Sequence, residues 1–460
     1  MLISLAVTNF KSLRDRTELR MDCSADSDLQ HVVRHGIPGT SDYRGMLTVA
    51  SIHGANASGK SNIIKAAGVL DDIVGVALRF PEGRIPEDFP PIYHPSRGLD
   101  PFRLNATSAK SPTELEVAFV ADGIKWIYGL SIDVKKVYSE RLCYCPNGSR
   151  VVELFNRGAS VDPSRAASLL DRTETNQTWT DARSGDANSQ QECWYWGPEF
   201  EKGQSEGRAL AGRTRADVPF LSVAASWNHP QASQVINWFR RFRVMDATEG
   251  QIRTLEFASR ACKSDSVLRQ WTEQWMRAAD FGISSIQVDE LERPPSGSGQ
   301  QPYRARFESK AVHSDEDGRP VLFDMELESH GTSRLFSMAP MLYAKLRSGG
   351  VLLIDELHSG LHPLLLRALV KIFQCPERNP HSAQLIFTTH DISVLDNSLL
   401  RRDQIHIVEK NKNGASEIYS LSDYDDKPRK NAPLVKHYLS GYFGGVPDLD
   451  IDRLFPLPSA

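Results

Sequence analysis

The segment Gly54-Ala-Asn-Ala-Ser-Gly-Lys-Ser61 constrains the fold of this chain more than any other feature. It fits the pattern G-x4-G-K-[S/T], a glycine-rich loop whose backbone N–H groups point at a bound phosphate. An apolar segment, Leu47–His53, leads into the loop. Apolar residues recur at helical spacing after it, at Ile63, Ile64, Ala67, Leu70 and Val74. Strand, loop and helix in this order predict the phosphate-binding unit of an α/β nucleotide-binding fold.

The polar residues of this loop have expected partners. We expect the Lys60 ammonium to reach the β- and γ-phosphates and the Ser61 hydroxyl to hold Mg²⁺. The positive end of the helix that follows adds to the attraction for phosphate. The residues expected to bind the nucleotide in this segment are Gly54, Asn56, Ser58, Gly59, Lys60, Ser61 and Asn62.

A second motif is an apolar strand that ends in two acids. The run Val351–Ile354 predicts a buried parallel strand, and such strands present functional groups at their carboxyl ends. Asp355 follows as an expected Mg²⁺ ligand, and Glu356 as the residue that polarises the attacking water. The alternative is that both acids only mark the solvated end of the strand. The phosphate-binding loop upstream favours the catalytic interpretation.

A third motif is the apolar strand Gln384–Thr389, which ends at His390. A histidine at this edge can donate a hydrogen bond to a γ-phosphate or orient water. A structural role is the alternative for a histidine at a strand end. Because the loop, the acidic strand and the histidine strand follow in that order, we predict Lys60, Glu356 and His390 as the catalytic residues.

These motifs together resemble an ABC-type ATPase head of the SMC/RecF/OLD group. They resemble more closely the AAA15 family of bacterial ATPases, which includes RloA, AbiLi and the ATPase subunit of PARIS. The segments that carry the resemblance are Asn9–Ser12, Gly54–Ser61, Glu328–Arg334, Asp355–Pro363, Thr388–Asp391 and Lys436–Pro447. The resemblance implies an α/β fold, an ABC-type P-loop NTPase head with a parallel core sheet and an antiparallel β-subdomain.

The resemblance also implies a second group of ATP contacts. Ser329, Gly331 and Thr332 stand where the family has its signature sequence, which contacts the γ-phosphate of ATP held by another subunit. A small-residue turn that opens the helix Ser333–Leu346 also suits an anion on physical grounds. ATP and Mg²⁺ would then be shared across a head-to-tail homodimer or a higher homo-oligomer. The alternative is that the turn only caps the helix.

The remaining sequence predicts one head that is interrupted by an insertion. Residues 1–155 are expected to form its N-terminal half, and residues 301–460 its C-terminal half with a short tail. Residues 156–300 are expected to form a mainly helical insertion. Its first part, residues 156–217, is rich in Ser, Asp, Arg, Gln and Gly, which predicts partial mobility, and Arg293–Gln300 predicts a linker.

Several short strands are expected outside the three motifs. A strand is predicted at the N-terminus, and Asp122-Gly123 predicts a two-residue hairpin turn. The other predicted strands are Phe102–Leu104, Leu115–Val120, Trp126–Ile132, Tyr303–Phe307 and Val321–Leu327.

The composition is that of an ordinary folded protein. Of the 460 residues, 40% are hydrophobic and 24% charged, which excludes a disordered or collagen-like chain. No apolar stretch reaches the ~20 residues of a membrane span and no basic leader precedes the first strand, so a cytoplasmic protein without membrane contact is expected. The cysteines include one close pair, Cys143 and Cys145, and no second pair that would complete a zinc site. Reduced thiols are therefore expected.

Charge does not point to a nucleic-acid protein, but one segment leaves the question open. The net charge is -4, so the field of the whole chain does not attract nucleic acid or an acidic membrane. The segment Trp238–Arg243 interleaves aromatic residues with arginines, a pattern that can stack on bases and contact phosphates. A half-buried helix that leads into a strand explains the same residues. Lys427, Arg429, Lys430 and Lys436 form a second basic cluster with the same two interpretations.

The resemblance leads to one functional hypothesis and two alternatives. We expect an ATP-binding and ATP-hydrolysing component of a bacterial anti-phage, abortive-infection system, which senses a phage trigger and controls a separately encoded effector such as a Toprim-type nuclease. The segment after His390 is too short for the nuclease domain that OLD-type relatives carry, which favours a separate effector. The alternatives are an SMC/RecF-like DNA repair ATPase that binds DNA and a nucleotide-dependent scaffold that sequesters a toxic partner.

Overall fold

The structure is a computed structural model, and it describes residues 1–79, 98–146, 150–158, 194–201, 206–245, 251–279, 282–291, 306–424 and 432–447. The predicted linker Arg293–Gln300 and the basic residues Lys427, Arg429 and Lys430 lie outside these ranges. The same holds for residues 159–193 and 202–205 of the segment predicted to be mobile.

The strands in the described ranges form four sheets. Their bounds are β1 Leu2–Thr8, β2 Thr17–Arg20, β3 Val33–Arg34, β4 Met46–Leu47, β5 Val49–His53, β6 Thr113–Ala121, β7 Ile124–Ile132, β8 Val137–Cys145, β9 Val152–Arg157, β10 Trp194–Trp196, β11 Phe242–Met245, β12 Ser285–Leu291, β13 Arg306–Ser314, β14 Pro320–Asp324, β15 Val351–Ile354, β16 Gln384–Thr388, β17 Ile405–Lys410 and β18 Ser416–Ser420.

The helices surround these sheets. Their bounds are α1 Lys60–Arg79, α2 Pro198–Glu201, α3 Glu206–Ala211, α4 Phe220–Ser226, α5 Pro230–Phe239, α6 Gln251–Ser264, α7 Ser266–Ala278, α8 His330–Ser348, α9 Pro363–Gln374 and α10 Leu434–Leu439. None of the helices in the described ranges combines the length and the apolar content that a membrane crossing requires.

The central sheet determines where the motif residues meet. Its order is β11-β15-β16-β5-β17-β18, and every neighbouring pair is parallel except β17 and β18. The strands β5, β15 and β16 are buried on both faces, as expected for apolar strands between helical layers. Ile354 lies opposite Phe387 and Thr388 opposite Ile52, so these strands end together. The loop after β5, the acids after β15 and His390 after β16 therefore share one edge of the sheet.

The second large sheet is antiparallel, with seven strands in the order β10-β9-β8-β7-β6-β1-β2. Ala121 pairs with Ile124 across a two-residue turn in which Asp122 has φ 50° and Gly123 has φ 77°. Positive φ at both turn residues matches the twist of the flanking strands, so the predicted hairpin is confirmed. The predicted fold class, α/β with a parallel core sheet and an antiparallel β-subdomain, is confirmed as well.

Gln384 joins the two large sheets. Its side chain is fully buried at the start of β16 and accepts a hydrogen bond of 2.5 Å from the backbone N–H of Leu2 in β1. Its amide nitrogen donates to the carbonyl oxygens of Leu2 and Leu47, at 2.9 and 3.0 Å. A buried amide with these partners has its polar atoms satisfied, which fixes the β-subdomain against the core sheet.

Helices from the region between the two halves pack on α1. The Ser222 hydroxyl in α4 donates to the carbonyl oxygen of Val74 in α1, at 2.7 Å. Glu140 of β8 is buried and accepts hydrogen bonds from the first two backbone N–H groups of α4, those of Phe220 and Leu221, at 2.6 and 2.8 Å. A carboxylate at this position satisfies N–H groups that have no partner within the helix. The helix after the phosphate-binding loop is thereby connected to the β-subdomain.

The segment Trp238–Arg243 is the junction between α5 and β11. Trp238 and Phe242 are buried, with ring centroids 5.5 Å apart, whereas Arg241 and Arg243 are exposed. The buried rings cannot stack on bases, so a half-buried helix that leads into a strand accounts for this segment. Strand β11 pairs with β15 inside the central sheet. The domain boundaries at residues 155 and 300 stay a prediction.

Two local predictions differ from the structure. Phe102–Leu104 was expected to be a strand and is a turn, because the Phe102 backbone N–H donates to the Asn9 side chain at 3.1 Å instead of to a neighbouring strand. The strand expected at Val321–Leu327 is β14 and ends at Asp324. Leu327 is 77% exposed and lies in the turn before α8.

Candidate functional site

The phosphate-binding loop has a backbone that requires glycine. It connects β5 to α1, and Gly54 and Gly59 have φ values of 153° and 111°. A side chain at Gly59 would overlap the hydroxyl oxygens of Ser12 and Ser416. These two hydroxyls are hydrogen-bonded to each other at 2.7 Å. The loop is thus held from outside by the turn after β1 and by the start of β18, two segments distant in sequence.

Lys60 lies inside the loop. Its ammonium group donates to the carbonyl oxygens of Gly54 and Ala55, both at 2.9 Å, and the side chain is buried. Burial lowers the pKa of Lys60 to about 8, and the nearby carboxylates of Asp355 and Glu356 oppose this shift. The structure therefore brings the lysine of the first motif together with the acids of the second. A desolvated ammonium in such a loop is stabilised by an anion.

Thr388 connects the two acids. Its hydroxyl donates to Asp355 Oδ1 at 2.6 Å and accepts from the backbone N–H of Glu356 at 2.7 Å. Thr388 is fully buried, and Asp355 is 3% exposed. Glu356 has φ 51°, in the left-handed region that non-glycine residues rarely adopt. The residues that do adopt it are often found at functional sites. The threonine therefore fixes a carboxylate oxygen of one acid and the backbone of the other.

Arg334 contacts the same segment from α8. Its Nη2 donates to the carbonyl oxygens of Asp355 and Glu356, at 3.2 and 2.8 Å. Burial lowers the pKa of Arg334, and the carboxylates of Glu356 and Asp355 oppose this effect. The guanidinium therefore interacts electrostatically with the two carboxylates, while its hydrogen bonds go to the backbone carbonyls of the same residues.

Histidine side chains surround the acids and the lysine. The His390 ring lies 5.5 Å from the His358 ring, at an interplanar angle of 77°. Desolvation lowers the pKa of His390, and the positive charge of Lys60 lowers it further. His53, at the end of β5, is buried, and burial lowers its pKa to about 3. These rings are therefore neutral near pH 7, and His390 can either donate or accept a hydrogen bond there.

The predicted signature residues lie at the start of α8. Ser329 is the N-cap, and its hydroxyl accepts from the Thr332 backbone N–H at 3.2 Å. Gly331 is packed against the loop after the acids, since a side chain there would overlap the carbonyl oxygen of Gly360. No hydrogen bond within the described ranges joins Ser329, Gly331 or Thr332 to residues 54–62. The capping role is present, and the ATP contact stays a prediction.

The remaining predicted loop residues differ in their surroundings. Asn56 is exposed and Ser61 is half-buried. The buried hydroxyl of Ser58 has no hydrogen-bond partner within the described part of the chain. Asn62 donates from its amide to the Ser12 hydroxyl at 2.7 Å, so its side chain is already engaged by the turn after β1. The roles of these residues in nucleotide binding stay predictions.

Helix α10 and the segment that follows it contact the first glycine of the loop. The Tyr438 hydroxyl donates to the Gly445 carbonyl at 3.1 Å, and its ring lies 6.1 Å from the His53 ring. A side-chain Cβ at Gly445 would lie 3.4 Å from Gly54 Cα. Burial raises the pKa of Tyr438, and a hydrogen bond from the Gly54 backbone opposes this. The tail is therefore packed directly on the phosphate-binding loop.

Sequence reasoning assigned no role to three residues that the structure places at the site. Thr388 had a detectable signal, because it is a polar residue at the buried end of an apolar strand. Arg334 and Tyr438 lie in segments that carry the family resemblance, but no local pattern predicted their contacts, which bring together segments that are far apart in sequence.

The sequence also resembles a known protein family. The sequence matches the AAA_21 family, described as "AAA domain, putative AbiEii toxin, Type IV TA system", over residues 49–189 and 204–396. No curated protein matches the sequence.

Solved structures similar to this chain include SMC head domains and a recombination mediator protein. The SMC head domain from Thermotoga maritima is 15% identical with a TM-score of 0.35, covering 91% of this chain and 98% of that one. The SMC head domain with a coiled coil and joint from Pyrococcus yayanosii is 12% identical with a TM-score of 0.41, covering 96% and 99%. The recombination mediator protein RecF is 13% identical with a TM-score of 0.36, covering 91% and 98%. Because the family match spans most of the sequence, the chain belongs to the AAA_21 family of P-loop ATPase domains.

Proposed function

We propose that this protein binds ATP with Mg²⁺ and hydrolyses it at the edge of the central sheet. One observation carries the proposal: the Thr388 hydroxyl bonds to Asp355 and to the Glu356 backbone beside the buried ammonium of Lys60. A lysine, two acids and a glycine-rich loop in one place are the groups that phosphoryl transfer to water requires.

The residues present fit a nucleoside triphosphate. The loop Gly54–Ser61 offers backbone N–H groups at the start of α1, and it contains the Ser58 hydroxyl, which has no hydrogen-bond partner among the described residues. The desolvated Lys60 ammonium supplies charge for the β- and γ-phosphates. Phosphate therefore suits this loop in charge and in hydrogen-bonding capacity.

Ser61 and Asp355 are the residues that would hold Mg²⁺ at this site. No group of three His, Cys, Asp or Glu side chains in the described ranges could hold a metal ion. Mg²⁺ at nucleotide sites needs no such group, because one or two protein oxygens together with phosphate oxygens and water complete its coordination. When bound, the ion neutralises charge that develops on the phosphates.

The remaining side chains have separate tasks in hydrolysis. Lys60 binds the γ-phosphate, and Glu356 accepts a hydrogen bond from the attacking water and polarises it. His390, neutral near pH 7, donates a hydrogen bond to the γ-phosphate or orients the water. The Thr388 hydroxyl keeps the Glu356 backbone in place during the reaction.

We infer that ATP is shared between two copies of the chain. Ser329 is exposed at the N-terminus of α8, where the helix dipole favours an anion. Gly331 and Thr332 are buried behind it, and the Thr332 hydroxyl is hydrogen-bonded to that of Ser329 at 2.7 Å, so Ser329 is the signature residue that a second copy would reach first. ATP would therefore drive head-to-tail dimerisation through Ser329, Gly331 and Thr332.

The biological role that we propose is a bacterial anti-phage defence component. The family description refers to a toxin of a Type IV toxin–antitoxin system, which supports a nucleotide-controlled element of such a system. The protein would sense a phage trigger and control a separately encoded effector, with ATP binding and hydrolysis setting its state.

ATP turnover by purified variants tests the enzymatic part. Lys60→Ala should lose ATP binding, because the loop loses its only charged phosphate ligand. Glu356→Gln should keep ATP binding and lose turnover by about 10²- to 10⁴-fold, the range for removal of a general base. Glu114→Gln, at an exposed acid of β6, is the matched control and should keep both. Wild-type turnover by Glu356→Gln would contradict the assignment.

Phage challenge tests the defence part. Cells that carry the intact operon should resist phage, whereas cells with Lys60→Ala or Glu356→Gln in the same operon should be sensitive. The Glu114→Gln operon should protect like the wild type. Equal plaque counts for all four strains would exclude the defence role while leaving the ATPase assignment untouched.

A further inference from the structure

Arg334 links the start of α8 to the backbone of the predicted catalytic base. We propose that Arg334 is a positioning residue that makes the placement of Glu356 depend on what is bound at the N-terminus of α8. The proposal rests on the proposed function and adds a mechanism by which one ATP site controls the other. It is carried by the hydrogen bonds from Nη2 to the carbonyl oxygens of Asp355 and Glu356.

The Glu356 backbone is held from two sides. Its N–H donates to the Thr388 hydroxyl at 2.7 Å, and its carbonyl oxygen accepts from Arg334 at 2.8 Å. A non-glycine residue with φ 51° persists only where surrounding contacts enforce that conformation. Loss of the Arg334 donor would release one of the two restraints that keep Glu356 in this conformation.

Arg334 acts through the backbone and leaves the carboxylates free. Among the described residues, no ion pair joins Arg334 to Asp355 or Glu356, although both carboxylates are close enough to raise its pKa. Its Nε is buried and has no hydrogen-bond partner in the described ranges. The side chain as a whole is half-buried, and a guanidinium that is partly desolvated around an Nε without a partner adds little to the stability of a fold. Its position is better explained by the geometry that it imposes on Glu356.

A second contact makes the link between the two segments rigid. Gly331, in the first turn of α8, is packed against the carbonyl oxygen of Gly360, which has φ 74°. The start of α8 and the segment Asp355–Gly360 therefore touch at two points, one polar and one steric. Because packed elements move as units, a shift of the first turn of α8 shifts the Glu356 backbone with it.

This link connects two active sites in the proposed dimer. Ser329, Gly331 and Thr332 of one copy would contact the γ-phosphate held by the second copy. Arg334 then transmits that contact to Glu356, which acts on ATP held by its own copy. Hydrolysis at one site would consequently require ATP at the other, so turnover should depend cooperatively on ATP concentration.

The test replaces the donor while keeping the length of the side chain. Arg334→Met should lower kcat by roughly 10- to 100-fold, the size expected when a catalytic group is misplaced by about 1 Å, and leave KM within about twofold. The Hill coefficient for ATP should fall toward 1, the value for independent sites. Arg334→Lys should recover part of the turnover, because an ammonium can still donate to one carbonyl. Arg347→Met, at an exposed arginine of the same helix, is the matched control and should behave as the wild type.

A readout besides turnover separates positioning from a structural role. ATP-dependent dimerisation, weighed by mass photometry in a Glu356→Gln background, should persist when Arg334→Met is added, since the signature residues are intact. Loss of ATP binding and dimerisation together with a lower melting temperature would show a merely structural role and overturn the proposal. Wild-type turnover and cooperativity of Arg334→Met would overturn it as well. If Glu356→Gln itself turned over like the wild type, the proposed function would fail, and this proposal with it.

Discussion

Replacing Thr388 by valine removes a hydroxyl that serves two buried partners at once. The hydroxyl donates to the Asp355 carboxylate at 2.6 Å and accepts from the Glu356 backbone N–H at 2.7 Å. Valine has nearly the same shape, so no cavity accompanies the change. The variant therefore isolates the two hydrogen bonds from packing.

The loss in the free energy of unfolding follows from these two partners. A hydrogen bond to a charged group contributes about 1.5–3 kcal/mol, and a buried N–H left without a partner costs about 1–3 kcal/mol. Because both effects share one hydroxyl and neighbouring groups can relax, the two figures do not add fully. We expect Thr388→Val to lower the free energy of unfolding by about 3 kcal/mol.

The chain offers a matched control at Thr48. Thr48 is also fully buried beside the central sheet, but its hydroxyl has no hydrogen-bond partner in the described ranges. Removing an unsatisfied buried hydroxyl is neutral or stabilising, so Thr48→Val should change stability by less than about 1 kcal/mol. The two variants make the same chemical change at the same degree of burial.

Urea unfolding of the full chain measures the difference, and hydrogen exchange at the Glu356 amide localises it. Thr388→Val should speed exchange at Glu356 strongly, whereas Thr48→Val should leave it unchanged. ATP turnover should also fall in Thr388→Val, because the Glu356 backbone loses a restraint. Equal stability and equal exchange in the two variants would refute the reasoning that Thr388 holds the acids in place.

Two further predictions concern pH and the C-terminal tail. Burial lowers the pKa of His406 to about 4, so below pH 6.5 the unfolded chain binds a proton that the folded chain does not, and the free energy of unfolding decreases as the pH is lowered. In urea unfolding, His406→Gln should remove about 2 kcal/mol of the stability loss between pH 7 and pH 5. The same dependence of stability on pH in the variant and the wild type would contradict this. Gly445→Ala would place a Cβ 2.5 Å from Ile407 Cγ2 and 3.4 Å from Gly54 Cα, so the segment would have to shift against the phosphate-binding loop. ATP affinity, measured by titration with a fluorescent ATP analogue, should therefore fall by roughly tenfold, which corresponds to about 1.4 kcal/mol. Gly36→Ala has nearly the same φ, 67°, with no atom within 4 Å of the new Cβ, and should keep wild-type affinity; equal losses in both variants would show backbone strain alone.

Local and periodic signals predicted a large part of the fold. The apolar runs before Gly54, Asp355 and His390 are strands β5, β15 and β16, because a run of apolar residues that ends in a polar motif has few other ways to be buried. Helical spacing after the loop predicted α1, and the dipeptide Asp122-Gly123 predicted its hairpin. Each of these signals lies within a few residues of the structure that it predicts.

The contacts that complete the site could not be predicted in this way. Arg334 bonds to the backbone of Asp355 and Glu356, and backbone acceptors leave no trace in the identity of the residues concerned. Tyr438 and Gly445 reach Gly54 because the chain returns to β17 after β16, which only the sheet order reveals. Phe102 was predicted incorrectly for a related reason, since its N–H is bound by the distant Asn9 side chain.

The structure of the Glu356→Gln protein with ATP and Mg²⁺ is the most direct measurement of the central claim. We predict a dimer in which each triphosphate lies between Gly54–Ser61 of one copy and Ser329–Thr332 of the other, with Mg²⁺ next to Ser61 and Asp355. A triphosphate bound elsewhere, or bound to one copy alone with Asp355 remote from the metal ion, would contradict the account.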